Sequence, residues 1–237
     1  MKNVLVTDQL SKTYYNQIIL KKVSMNIPSG AIYGFIGLNG AGKSTFMRII
    51  VGLCNQTSGS ITLFENNSLY EGRKRIGCMI ESPSLFENNT AFQNLKVYAK
   101  LMDCDREQNL RSLLHQVGLT DTGRKKVRNF SLGMKQRLGL AIALIGQPDF
   151  LILDEPTNGM DPVGTLEILN LLQELNRKRG VTILISSHIL GDLTKIATTY
   201  AVIRKGSIVV ENDARILRSE AVKEKIEFND YLIRLMQ

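Results

Sequence analysis

The chain has 237 residues, 43% hydrophobic and 22% charged, a balance that fits an ordinary globular protein and excludes disordered and fibrous classes. No stretch approaches the ~20 apolar residues of a membrane-spanning helix; the nearest, residues 138–146, is bounded by Arg137 and Gln147 and fits a buried helix. The formal charge of +8 admits nucleic acid, an anionic membrane surface or a plain basic surface. Its clusters, Arg73-Lys74-Arg75 and Arg124-Lys125-Lys126-Val127-Arg128, lack the interleaved aromatics of a base-stacking platform, so a solvated face and no nucleic-acid partner are expected. Cys54, Cys78 and Cys104 are odd in number without metal-ligand spacing, as in a reducing cytosol, and the first residues lack the apolar length of a secretory signal.

In chain order, strands are expected at residues 4–6 and 18–20, on either side of a polar turn at 11–16 that carries Tyr14 and Tyr15. Ile27-Pro28-Ser29-Gly30 reads as a tight turn feeding an apolar strand at 31–36. A helix opens at Ser44, followed by strands at 59–64 and 76–80. Between Thr90 and Gln147 apolar residues recur at three and four, predicting helices over 91–102, 106–117 and 132–145. Strands return at 150–153 and 181–185, with a helix over about 163–177 between them. Residues 200–203 and 207–210 read as a hairpin, and the charged tail from Asp213 as helical. The expected fold class is α/β: with Gly37-Leu38-Asn39-Gly40-Ala41-Gly42-Lys43-Ser44 joining the strand at 31–36 to the helix at Ser44, a P-loop NTPase (RecA-like) core with an antiparallel β subdomain and an inserted helical subdomain. The expected division is one domain, with residues 1–81 and 147–237 forming the core and 82–146 the helical insertion.

Gly37-Leu38-Asn39-Gly40-Ala41-Gly42-Lys43-Ser44 carries the clearest chemistry. Its glycines let backbone amides curl inward around phosphate oxygens, with Asn39, Ala41 and Thr45 completing the cradle. Lys43 reaches the outer phosphates, and the Ser44 hydroxyl suits Mg²⁺. The strand–loop–helix context points to a triphosphate on a helix N-terminus. Leu151-Ile152-Leu153-Asp154-Glu155 is an apolar strand ending in two acids. Asp154 is placed to hold Mg²⁺, and Glu155 to polarise the water that attacks the γ-phosphate. His188 follows the next strand and reaches the same edge as a partner for the γ-phosphate. Ser131 reads as the N-cap of a second helix suited to an anion. With one cradle already present, that second helix end fits the nucleotide of another copy.

In this order the motifs resemble the ATP-binding subunit of ABC transporters over nearly the whole chain. The resemblance makes Tyr14 the adenine-stacking aromatic, residues 37–44 the Walker A loop and 151–155 the Walker B strand. Phe130-Ser131-Leu132-Gly133-Met134 occupies the signature motif, Met160-Asp161 the D-loop and His188 the switch histidine. It implies an ATPase using ATP and Mg²⁺ in a homodimer that forms on ATP binding. Two ATPs would lie between one P-loop and the facing Ser131, Gly133 and Asp161. It further implies a polytopic membrane permease as partner, with the chain cytoplasmic and peripheral on the inner face of the membrane.

Two departures refine the likeness. The family signature usually reads Leu-Ser-Gly-Gly-Gln; here Leu132 and Met134 replace the first glycine and the glutamine. Glu81, in Ile80-Glu81-Ser82-Pro83, stands where most members carry glutamine in a loop that touches Mg²⁺ and the permease. The glutamate adds a charge and removes an amide donor. Both features resemble the bacitracin-resistance and lantibiotic-immunity branch, which implies export or expulsion of a peptide antibiotic. Three other readings stay open at this stage: an exporter of another substrate, a non-transport member acting on nucleic acid or ribosomes, and a weakly hydrolysing regulatory module. Paired ATPase domains or long coiled-coil insertions accompany the second; the chain has one motif set and no heptad run.

Overall fold

The computed structural model describes residues 2–66, 68–81, 83–104, 107–187 and 189–237. Its elements begin with β1 (Asn3–Tyr14), β2 (Gln17–Pro28), β3 (Ile32–Ile36), α1 (Lys43–Val51), β4 (Ser58–Leu63), α2 (Leu69–Arg73) and β5 (Ile76–Met79). A helical stretch follows, with α3 (Ala91–Leu101), α4 (Glu107–Gln116) and α5 (Leu132–Ala143). The chain then runs through β6 (Phe150–Asp154), α6 (Pro162–Arg179), β7 (Thr182–Ser186), α7 (Leu190–Ile196), β8 (Thr199–Arg204) and β9 (Ser207–Asp213), ending in α8 (Ala214–Lys223) and α9 (Phe228–Met236).

Two sheets organise these elements. The smaller is antiparallel, in the order β2-β1-β4. The larger runs β5-β6-β7-β3-β8-β9 and is parallel apart from the β8–β9 hairpin. Every residue of β3, β6 and β7 is buried, as continuous apolar runs covered on both faces require. β3 lies between β7 and β8, so the loop leaving its carboxyl end emerges beside the ends of β7 and β6. Ligands of open parallel sheets bind at such carboxyl ends.

The polar turn expected at 11–16 is shorter than its composition implies. β1 continues to Tyr14 and β2 starts at Gln17, leaving Tyr15 and Asn16 to reverse the chain. Ser11 and Thr13 are polar yet extended because Thr57 satisfies them: its amide donates to the Ser11 carbonyl at 2.8 Å, and its hydroxyl accepts from the Thr13 amide at 3.0 Å. Pairing overrides propensity here. The short helices α2 and α7 leave too little periodicity to be anticipated.

Two apolar clusters flank the large sheet. One joins Phe35, Phe46, Met47 and Ile50 to Leu5 and Met25 of the small sheet, with the Phe35 and Phe46 ring centroids 5.3 Å apart. The other joins Leu153, Leu169 and Leu172 to Leu95, Leu114 and Leu138 of the helical stretch. Two glycines bring α5 against edge strand β5. A Cβ on Gly77 would fall 1.9 Å from the Ala143 carbonyl oxygen, and one on Gly139 would fall 2.8 Å from Met79 Sδ and from Pro83. Neither position admits a side chain, so α5 is held against the strand that leads into Glu81.

Candidate functional site

The loop between β3 and α1 depends on glycine at two kinds of position. Gly40 and Gly42 have φ of 78° and 112°, where a side chain would strain the backbone. A Cβ on Gly37 would lie 2.3 Å from the Ile203 carbonyl oxygen, so this residue is the price of packing the loop on β8. Gly42 caps α1 without a side-chain hydrogen bond, and no acid occupies the first turn. The leading amides and the positive end of the helix dipole are therefore left for an external anion.

Lys43 is buried and donates from Nζ to the carbonyl oxygens of Gly37 at 2.8 Å and Leu38 at 3.3 Å. Burial holds its pKa below the ordinary 10.5, opposed by the charges of Asp154 and Glu155. Ser44 donates to Asp154 Oδ2 at 2.5 Å, a short charge-assisted bond between the start of α1 and the end of β6. The other carboxylate oxygen of Asp154 accepts from the Ser186 hydroxyl. Ser186 stands opposite Asp154 in the β6–β7 register, and its Oγ also accepts from the Glu155 amide at 3.0 Å. Ser186 is not legible in the sequence, since nothing local to Ser186-Ser187 shows which residue the register sets beside Asp154.

Glu155 has φ of 51° and Glu81 has φ of 63°, left-handed conformations that cost a residue with a side chain about 1–3 kcal/mol. Both acids line a cleft of about 270 Å³ shared with Ser44, Asp154, Asn158 and Gln136. Asn158 Nδ2 lies 3.4 Å from Glu155 Oε2. Glu81 is ion-paired with Arg48, one helical turn beyond Ser44 on α1. Gln136 is buried, and its Oε1 has no hydrogen-bond partner among the described residues. Depressions of about 720 and 740 Å³ elsewhere are larger but hold neither the loop nor the paired acids. Volume does not select the site; converging oxygen chemistry does.

The remaining candidates lie outside this cleft. Tyr14 ends β1 half-exposed, its ring under Lys12 Nζ at 4.4 Å from the centroid. Ser131 caps α5 by accepting from the Met134 amide at 3.3 Å, as its sequence context predicted. Leu132, the signature departure, packs on Gly159: a Cβ there would fall 2.1 Å from Leu132 Cδ2. The loop before α6 thus makes room for the bulkier residue. Gly133 faces Met160, and Asp161 is exposed at the N-cap of α6 without a side-chain cap bond. His188 lies outside the described residues.

A loop that leaves helix amides for an anion, beside two acids at a neighbouring strand end, is equipped to bind and hydrolyse a nucleoside triphosphate. Residues 20–158 match the family described as ABC transporter. The chain belongs to the ABC transporter family. It is similar to the lantibiotic transport ATP-binding protein SrtF of Streptococcus pyogenes, 43% identical over 217 residues that cover 89% of this chain and 91% of SrtF. It is also similar to the bacitracin transport ATP-binding protein BcrA of Bacillus licheniformis, 41% identical over 89% of this chain and 70% of BcrA. A solved structure titled as the ATP binding subunit of an ABC transporter superposes with a TM-score of 0.87 at 27% identity, covering 99% of this chain and 100% of that one. This ABC protein is an ATP-binding subunit and an ATPase. Subunits of the family dimerise and act with membrane permease components. Among the described residues no helix is long and apolar enough to cross a membrane.

Proposed function

We propose that this ATPase powers a separate permease that exports or expels a peptide antibiotic of the lantibiotic or bacitracin type. The observation that carries the reading is the combination of Glu81 in the cleft with Ser131-Leu132-Gly133-Met134-Lys135-Gln136-Arg137 on α5, in a chain over 40% identical to two antibiotic-transport subunits. Attachment to the inner face of the membrane would come through the permease.

Mg²⁺ fits the cleft. The available donors are hard oxygens, from Ser44, Asp154 and Glu81, with the unpartnered Gln136 Oε1 nearby. Among the described residues no three His, Cys, Asp or Glu converge as a ligand set, and Mg²⁺ characteristically takes few protein ligands, keeping phosphate and water oxygens. When bound it neutralises charge on the phosphates. Ser44 and Asp154 would hold it, with Glu81 in the same cleft as a further oxygen donor.

The chain's own residues do the rest. The α1 amides and Lys43 bind and orient the phosphates, and Tyr14 stacks on adenine. Glu155 takes a proton from water as the water oxygen bonds to the γ-phosphorus and the bond to the β-phosphate oxygen breaks, releasing ADP. The family resemblance assigns the γ-phosphate contact to His188. Ser131, Gly133 and Asp161 close over the nucleotide of the facing subunit, so ATP holds the dimer shut until hydrolysis.

The test is to express the chain with its permease in a sensitive bacterium, as wild type and as Glu155→Gln. Resistance to a lantibiotic or to bacitracin that the variant abolishes is expected. Unchanged sensitivity to both peptides, with the wild-type complex present and hydrolysing ATP, would overturn the substrate class. ATP-induced dimerisation of Glu155→Gln, measured by light scattering, tests the catalytic reading independently; a strict monomer at saturating ATP would overturn it.

A further inference from the structure

Gln136 belongs to the helix whose N-terminal cap is Ser131, yet it lines the cleft of its own chain with Ser44, Glu81, Asp154, Glu155 and Asn158. It is 7% exposed, and its Oε1 is buried with no hydrogen bond to any of the described residues. An unsatisfied buried polar atom costs about 1–3 kcal/mol, and native structures leave few of them. Among the described residues that line the cleft, none supplies the missing donor. The carboxylates serve as acceptors, the Ser44 hydroxyl is committed to Asp154, and the Asn158 amide faces Glu155. A donor carried into the cleft by a ligand would satisfy it.

The position of Gln136 is not adjustable. Gly139, one turn further on the same face of α5, meets Met79 and Pro83 too closely for any side chain. Met79 and Pro83 bracket Glu81 in the chain, and Glu81, the residue that departs from the family pattern, lines the same cleft as Gln136. Glu81 itself is occupied by Arg48.

We propose that Gln136 is a positioning residue of its own chain's ATP site. Its Oε1 accepts a hydrogen bond from water carried on the nucleotide-bound metal, restoring beside Glu81 the neutral carboxamide that Glu81 itself lacks. This rests on the reading of the cleft as the metal–nucleotide site. Because α5 also carries Ser131, the contact sets where that helix end stands for the facing subunit.

The test measures affinity of the full chain for a non-hydrolysable ATP analogue by calorimetry, with and without Mn²⁺. The ratio of the two is the gain due to metal. Gln136→Leu is expected to keep the metal-free affinity and to lose about tenfold of the metal gain, the usual scale for a residue behind the ligands of a metal. Gln136→Glu, which retains an acceptor of equal reach, is expected to preserve the gain. Thermal unfolding without nucleotide should show Gln136→Leu at least as stable as wild type, since an orphaned polar atom has gone. A full metal gain in Gln136→Leu, or an equal loss in both variants, would overturn the proposal; where the leucine variant fails to fold, Gln136→Met serves the same comparison. Ser44→Ala and Asp154→Asn separate the two levels. If they too keep the metal gain, the cleft reading itself falls; if they lose it while Gln136→Leu does not, only the role of Gln136 falls.

Discussion

The Ser186 hydroxyl donates to Asp154 Oδ1 while accepting from the Glu155 amide at 3.0 Å, so one side chain from β7 orients both acids at the end of β6. Asp154 is buried, and Ser44 and Ser186 are its two hydroxyl partners. Ser186→Ala leaves one carboxylate oxygen without its donor, at a cost of about 1–3 kcal/mol. Thermal unfolding should show that loss. ATPase turnover should fall about tenfold, as for removal of an outer partner of a ligating group. Turnover equal to wild type would mean that Ser44 alone orients Asp154.

Arg48 and Glu81 form an ion pair at the mouth of the cleft, with both side chains more than a third exposed. Such a pair adds only about 0–1 kcal/mol to folding stability. Its importance lies in charge near the nucleotide. Glu81 brings a third carboxylate to a cleft that already holds Asp154 and Glu155 and receives a polyphosphate, and Arg48 offsets it. Arg48→Met should therefore weaken ATP binding in the wild-type background and do so much less in Glu81→Gln. A double-mutant cycle on nucleotide affinity is expected to give a coupling above about 0.5 kcal/mol. Additive effects would show that the two residues act independently.

Leu132 lies against Gly159, which has φ of 73°. Gly159→Ala meets two obstacles, the left-handed backbone and a Cβ placed 2.1 Å from Leu132 Cδ2. The first costs about 1–2 kcal/mol for a residue with a side chain; overpacking adds about 1–3 kcal/mol. Replacing Leu132 with glycine, the residue usual in the family, removes only the second. The penalty of Gly159→Ala, read from denaturant midpoints, should therefore be smaller in the Leu132→Gly background. An equal penalty in both would mean that the leucine side chain moves aside without cost.

The sequence disclosed the parts of the cleft whose chemistry is contiguous. A phosphate cradle needs several glycines and a lysine in one loop, and the acids close a single apolar strand, so spacing alone locates Gly37 to Ser44 and Asp154-Glu155. Ser186, Arg48 and Gln136 were not legible because each reaches the cleft from a different element. Ser186 is selected by strand register, Arg48 by a helical turn after Ser44, and Gln136 by the close approach of α5 to β5. The glycines behind that approach, Gly77 and Gly139, look unremarkable in sequence, since their meaning is a contact between segments far apart in the chain. The early strands outrun their sequence signal for the same reason: Ser11 and Thr13 are polar, and pairing with β2 and bonds to Thr57 make them extended.

Lys43 makes a prediction about pH as well as binding. Burial sets its folded pKa below the ordinary 10.5, so the fold disfavours the charged form even though binding phosphates needs it. Between the folded and unfolded pKa values the unfolded chain holds more protons, so the stability of the nucleotide-free protein contributed by this group rises with pH across that window. Below the window the cost is constant. Lys43→Met should remove this pH dependence and should not lower the nucleotide-free melting temperature at neutral pH, since it replaces a buried charge with an apolar chain of similar length. It should also abolish the stabilisation by ATP, about 2.7 kcal/mol for wild type at one hundred times the dissociation constant. Melting curves across pH, with and without ATP, check both halves. A variant that melts lower without nucleotide would show that the bonds from Lys43 to Gly37 and Leu38 outweigh the cost of burying its charge.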